Sequence, residues 1–160
     1  MSDAEAGVAL PGALGTIADD FTSLSVRDRL TLLLEFSEEL PELPERYRDH
    51  PELLEQVDEC QSPLFLAVEV DGADGLAARP DRRVRLFFKA PAEAPTTRGF
   101  AGILHAGRDG LTVDEVLAVP DDTPFRFGLG EAVSPLRLRG MVSMLARIKR
   151  QIRSTPLAQE

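Results

Sequence analysis

The residue best equipped for chemistry is Cys60, the one cysteine among 160 residues. Asp58, Glu59, Gln61 and Ser62 surround it, all polar; Pro63 and an apolar run from Leu64 follow. A free cysteine is most often a buried core thiol. The polar neighbours and the proline argue instead for a loop just before a strand, where a thiol can reach solvent or a partner. One cysteine forms no internal disulfide, which fits a reducing compartment, the cytoplasm. By itself it also cannot build a cysteine-based zinc or Fe–S site, so no resident metal is expected.

A thiol reacts as its thiolate, and the anionic neighbours Asp58 and Glu59 disfavour that form. A compensating cation must come from a distant segment, with Arg137 as the candidate, or a partner protein must activate the thiol. A cysteine hydrolase would need a base within reach. His50 and His105 are the two histidines; both read as solvated imidazoles, and a thiol hydrolase using one of them stays as an alternative. There is no second cysteine for a CxxC redox pair. One unpaired thiol can still accept sulfur. It attacks the outer sulfur of a donor persulfide, becomes a persulfide, and passes that sulfur on by thiol exchange.

The net charge of −9 and pI of about 4.8 repel phosphate backbones, so nucleic acid is not an expected partner. No apolar run approaches the roughly 18 residues of a membrane span. Residues 1–10 carry Asp3 and Glu5 without a basic start or an apolar stretch, so they do not read as a secretory signal. At 43% hydrophobic residues the chain can fill one core. The expected layout is a disordered tail over 1–10, one domain over 11–155 and a short tail over 156–160.

The elements that must position Cys60 follow from periodicity. Leu14, Ile17, Ala18 and Phe21 share one helix face over 11–21. Ser25 caps a second helix, with Val26, Leu30, Leu33 and Leu40 on a stripe widened by Leu34 and Phe36, ended by Pro41. Residues 51–57 read as a short helix with Pro51 in its first turn. Residues 64–70 and 84–89 alternate as strands, and 76–79 offers a short third one. Thr97 caps a helix carrying Phe100, Ile103 and Leu104, closed by Gly107 and Gly110. Thr112 and Glu115 form a capping box for another. Residues 120–130 read as irregular, and Gly128-Leu129-Gly130 as a turn, since no βαβ unit surrounds it. Ser134-Pro135 opens the last helix, with Leu138, Met141, Val142, Leu145, Ile148 and Ile152 inward. Its cations Arg137, Arg139, Arg147, Lys149, Arg150 and Arg153 read as a solvated face, with docking to an acidic partner as the alternative. This order is α+β: a small antiparallel sheet covered on one face by helices.

Glu59-Cys60-Gln61-Ser62, followed by a strand with aromatic Phe65, resembles the active-site loop of the SufE family, the sulfur acceptors of Fe–S cluster assembly. Leu40-Pro41-Glu42-Leu43 resembles the Leu-Pro segment before that family's cysteine. The stretch from Glu93 to Arg98-Gly99 resembles the acidic residue and basic-Gly pair at the start of its central helix. Ser134-Pro135-Leu136-Arg137 with Gly140 resembles the start of its last helix. Glu59 stands where the family usually has glycine. The resemblance implies a SufE/NifU-like α+β fold and a persulfide on Cys60. Glu59, Gln61 and Ser62 would flank it, Glu93 would lie beneath the loop, and Arg137 would serve as nearby cation or docking contact. It also implies a thiol that rests toward an apolar pocket and swings out when a pyridoxal-phosphate cysteine desulfurase docks. The sulfur would then pass to an Fe–S scaffold complex. The pyridoxal phosphate would belong to the desulfurase, with no cofactor in this chain. Other readings are an acceptor for a different pathway, such as a sulfur-containing cofactor or tRNA thiolation, and an Fe–S scaffold. A scaffold would need several cysteine ligands.

Overall fold

The two strands and the last helix set the frame for the cysteine segment. The structure, a computed structural model, describes residues 13–58, 63–70, 83–107 and 111–154. The expected tails, the 76–79 strand, Gly110 and the segment 59–62 lie outside the described residues.

Helix α1 (Ala13–Thr22) buries Leu14, Ile17, Ala18 and Phe21, the four residues its spacing puts on one face. Helix α2 (Val26–Glu39) is capped by Ser25, whose Oγ accepts from the Asp28 N–H at 3.2 Å. It stops at Leu40, which is extended ahead of Pro41. Its buried face keeps Leu33 and Leu40 of the expected stripe and leaves the rest outside. Leu33, Ser37 and Leu40 are buried, while Val26, Leu30 and Leu34 are each about 40% exposed. Helix α4 (Pro95–Gly107) selects that face. A Cβ on Gly99 would lie 2.6 Å from the Leu33 carbonyl oxygen, and one on Gly102 would overlap the Phe36 carbonyl. The two glycines let the backbones approach, and the helix turns Leu33 and Phe36 toward them.

The sheet has three antiparallel strands in the order β1 (Glu55–Gln56), β2 (Phe65–Val70), β3 (Val84–Lys89). Leu66, Val68 and Val70 lie opposite Phe88, Leu86 and Val84 and pack into the main core. The other face is not bare. Leu43, Tyr47 and Leu54 close over Ala67 and Phe87 as a second cluster, with the Tyr47 and Phe87 rings 5.0 Å apart. Tyr47 belongs to a short helix α3 (Glu45–Arg48). The expected helix over 51–57 is a single 3-10 turn, Pro51–Leu53, followed by strand β1. Gln56 and Glu55 are drawn into the ladder opposite Phe65 and Leu66.

Helix α4 starts at Pro95, so Thr97 lies inside it, 3% exposed, and is not its cap. Helix α5 (Val113–Ala118) has the full Thr112/Glu115 capping box. The 120–130 stretch contains a 3-10 turn, Thr123–Phe127, with Gly128 left-handed at φ 67°. Helix α6 (Pro135–Ser154) buries Leu138, Met141, Met144, Leu145, Ile148 and Ile152; Val142 is only half-buried. Lys149 is buried as well, contrary to a solvated role; its Nζ donates to the Val119 carbonyl and to Asp121 Oδ1, the latter at 2.7 Å.

Candidate functional site

The segment that carries the cysteine leaves the sheet from a fixed stem. Gln56 pairs with Phe65, and beyond that pair the Val57 N–H donates to the Leu64 carbonyl at 2.8 Å. Val57 and Leu64 are buried, while Asp58 and Pro63 just outside them are exposed. Two apolar side chains sunk in the core thus anchor both ends of the 58–63 connection. Cys60, Glu59, Gln61 and Ser62 lie outside the described residues.

Register decides what shares this end of the sheet. Lys89, the last residue of β3, is the partner of Phe65, and its Nζ sits 5.9 Å from the Phe65 ring centroid. The chain then turns through 91–94, where Glu93 is exposed. Glu93 therefore leaves the sheet at the same end as the cysteine segment. Beside it, Arg98 in the first turns of α4 donates to the carbonyls of Ala90 at 2.7 Å, Ser37 at 2.9 Å and Leu40 at 3.4 Å. This guanidinium ties the end of β3 to the end of α2, and the adjoining Gly99 allows the close approach.

A cleft of about 370 Å³ opens here, lined by Leu43, Tyr47, Leu54, Phe88, Lys89 and Arg98 among others. Its wall mixes apolar side chains with Glu42 and the cations Arg48, Lys89 and Arg98. Tyr47 donates its hydroxyl proton to Glu69 Oε2 at 2.7 Å. Burial, then the hydrogen bond to Glu69, push its pKa up to about 12, so it is a phenol at neutral pH.

On the opposite edge of β2, α6 reaches the root of the hairpin. Glu55 accepts from Arg147 at 2.6 Å, from Arg150, and from Gln151 at 2.7 Å. Burial raises the Glu55 carboxyl, but the bonds from Gln151, Arg147 and Arg150 outweigh it, and the net shift is downward. Arg147 and Arg150, expected on a solvated face, are engaged within the chain. Arg137 is exposed in the first turn of α6, where its N–H donates to Ser134 Oγ at 3.3 Å. No ion pair joins the Arg137 or Glu93 side chain to another described residue. His50 is exposed and 3.1 Å from Glu52, and His105 is half-buried on α4. No cluster of three or more metal-ligating side chains forms among the described residues.

Sequence reasoning missed Glu55 and Lys89. Lys89 becomes a neighbour of the site only through the β2–β3 register. Glu55 sits in a stretch that reads as helix, and its partners lie more than 90 residues away. The cationic run on α6 was the available signal, because two of its members need a carboxylate.

A small α+β domain with one cysteine in a hairpin connection is what the fold and sequence define together. Residues 15–152 match the family model described as SufE, an Fe-S metabolism associated domain. Two uncharacterized SufE-like proteins of Mycobacterium tuberculosis, from strains CDC 1551 and H37Rv, are each 51% identical over 148 residues, 92% of this chain and 96% of theirs. A hypothetical protein from Thermus thermophilus, solved in solution, is similar in fold with a TM-score of 0.75 at 36% identity. That match covers 91% of this chain and 97% of the other. The chain belongs to the SufE family. No helix among the described residues is long and apolar enough to cross a membrane.

Proposed function

We propose that this protein accepts sulfur from a cysteine desulfurase on Cys60 and hands it to an Fe–S cluster scaffold. The observation that carries the reading is the position of the only cysteine, in a connection whose ends are pinned by buried Val57 and Leu64 at the cleft end of the sheet. Membership of a family associated with Fe-S metabolism supports the same reading.

The chemistry is a thiol exchange. The Cys60 thiolate attacks the terminal sulfur of the donor's cysteine persulfide. The S–S bond of the donor breaks, the donor leaves as thiolate and takes a proton, and Cys60 becomes Cys–S–SH. No external oxidant or reductant enters. The same exchange, with Cys60 as leaving group, delivers the sulfur onward. Pyridoxal phosphate stays with the desulfurase, and this chain needs no cofactor of its own. Between encounters the apolar side chains of the cleft are suited to shelter a thiol, which keeps it from oxidants while Asp58 and Glu59 restrain its ionisation. Arg137, exposed and without a carboxylate partner among the described residues, is the cation offered to the loop or to the donor. Glu93, exposed in the turn after β3, is the carboxylate beneath the loop.

The test is desulfurase turnover, read as alanine released from free cysteine, with and without this protein. The wild type raises turnover and Cys60→Ser does not. Equal stimulation by both proteins would refute the transfer step.

A further inference from the structure

Strand β1 is too short to hold itself. Two residues pair with β2, and so brief a strand is marginal without other support. The support comes from side chains. The Glu55 carboxylate is only 23% exposed, and it takes Arg147 and Arg150 on Oε2 and Gln151 on Oε1. Gln151 also uses its own Oε1 to accept from the Val68 N–H at 3.1 Å. Val68 is two residues beyond Leu66, the partner of Glu55, so its N–H is the next ladder donor on the edge that β1 leaves open. The Gln151 amide fills that place and bonds Glu55 with its other end. One helix face thus completes the ladder and grips the strand.

We propose that Glu55 is a positioning residue for Cys60: held by Arg147, Arg150 and Gln151, it fixes β1 against β2 and so sets the stem from which the cysteine is presented. The covalent distance is short, since Glu55 is one residue before the paired Gln56 and two before Val57, whose N–H closes the stem. This inference rests on Cys60 being the sulfur-carrying residue. It assigns to α6 a control over the loop that none of the family's motif residues in this chain explains.

The test uses the full chain and three variants: Glu55→Ala, Glu55→Gln and Gln151→Ala. Glu131→Ala, which removes a remote ion pair with Arg29, is the control. Four quantities are read: native-state alkylation of Cys60 by iodoacetamide, amide exchange at Val57 and Val68, thermal midpoint, and sulfur loading by a cysteine desulfurase. Glu55→Ala and Gln151→Ala are expected to speed alkylation and exchange by about fivefold or more, as local opening of the stem requires. Loading slows by a similar factor, and Glu55→Gln, which keeps an acceptor for Gln151, falls between. The control leaves Cys60 unchanged. Alkylation within about twofold of wild type in Gln151→Ala and in any folded Glu55 variant overturns the inference, whatever happens to the midpoint. If wild type takes no sulfur, the proposed function fails while the alkylation result still decides the role of Glu55.

Discussion

Two helix contacts shape this molecule in opposite ways, and only the second touches the cysteine-bearing hairpin. Between α2 and α4 the join is dry and close: Gly99 and Gly102 meet the backbone at Leu33 and Phe36 with no room for a Cβ. Between β1 and α6 the join is polar, made by one carboxylate and three side chains reaching across from the last helix. The first kind of contact has a single geometry, because close-packed backbones cannot slide. The second can be made and unmade by charge. A scaffold of the first kind carrying a hairpin of the second keeps the core rigid while leaving the stem open to adjustment.

The strongest way to break this comparison is Gly102→Val. Forcing a branched side chain against the Phe36 carbonyl should cost about 3 kcal/mol or more. Urea unfolding would show it as a lower midpoint with unchanged slope. A loss under about 0.5 kcal/mol would mean the helices are not in backbone contact. Arg98→Ala comes next. It strands three carbonyls, at Ser37, Leu40 and Ala90, and should cost about 2 kcal/mol in the same assay.

The polar join predicts a smaller, pH-dependent effect. The folded Glu55 carboxyl has a lowered pKa, so its stabilisation is present above the ordinary glutamate value and is lost as pH falls through the folded one. Glu55→Gln should therefore be less stable than wild type near pH 7, with the gap closing at acid pH once the folded Glu55 carboxyl is protonated. Urea melts at neutral and acid pH check this; a gap that persists in acid would place its cause outside the carboxylate charge. Smallest of all is Leu30→Gln on the exposed flank of α2, expected within about 0.5 kcal/mol. Leu33→Ala, three residues on, should cost about 3 kcal/mol. Equal losses at the two positions would contradict the observed buried face.

Much of this was readable from residue order. The face of α1, the Ser25 and Thr112 caps, the bounds of β3 and the start of α6 are local effects, encoded within a few residues of where they act. The larger errors have a distant partner. Val26, Leu30, Leu33 and Leu40 share the expected stripe, yet only the last two are buried; two glycines 60 or more residues away draw the Leu33 side of the helix inward. Glu55 and Gln56 look helical until β2 pairs with them. Lys149 resembles its cationic neighbours until Val119 and Asp121 enclose it. Of the candidate site, the sequence singles out the cysteine because it is unique. Lys89, Arg98 and Glu55 acquire their roles only from register and packing.

The most direct measurement is intact mass after incubation with a cysteine desulfurase and free cysteine. The account predicts a gain of about 32 Da, one sulfur atom, that reducing agent removes and that Cys60→Ser never acquires. A protein whose mass stays unchanged while the desulfurase turns over, or one that gains the same mass without Cys60, would contradict it.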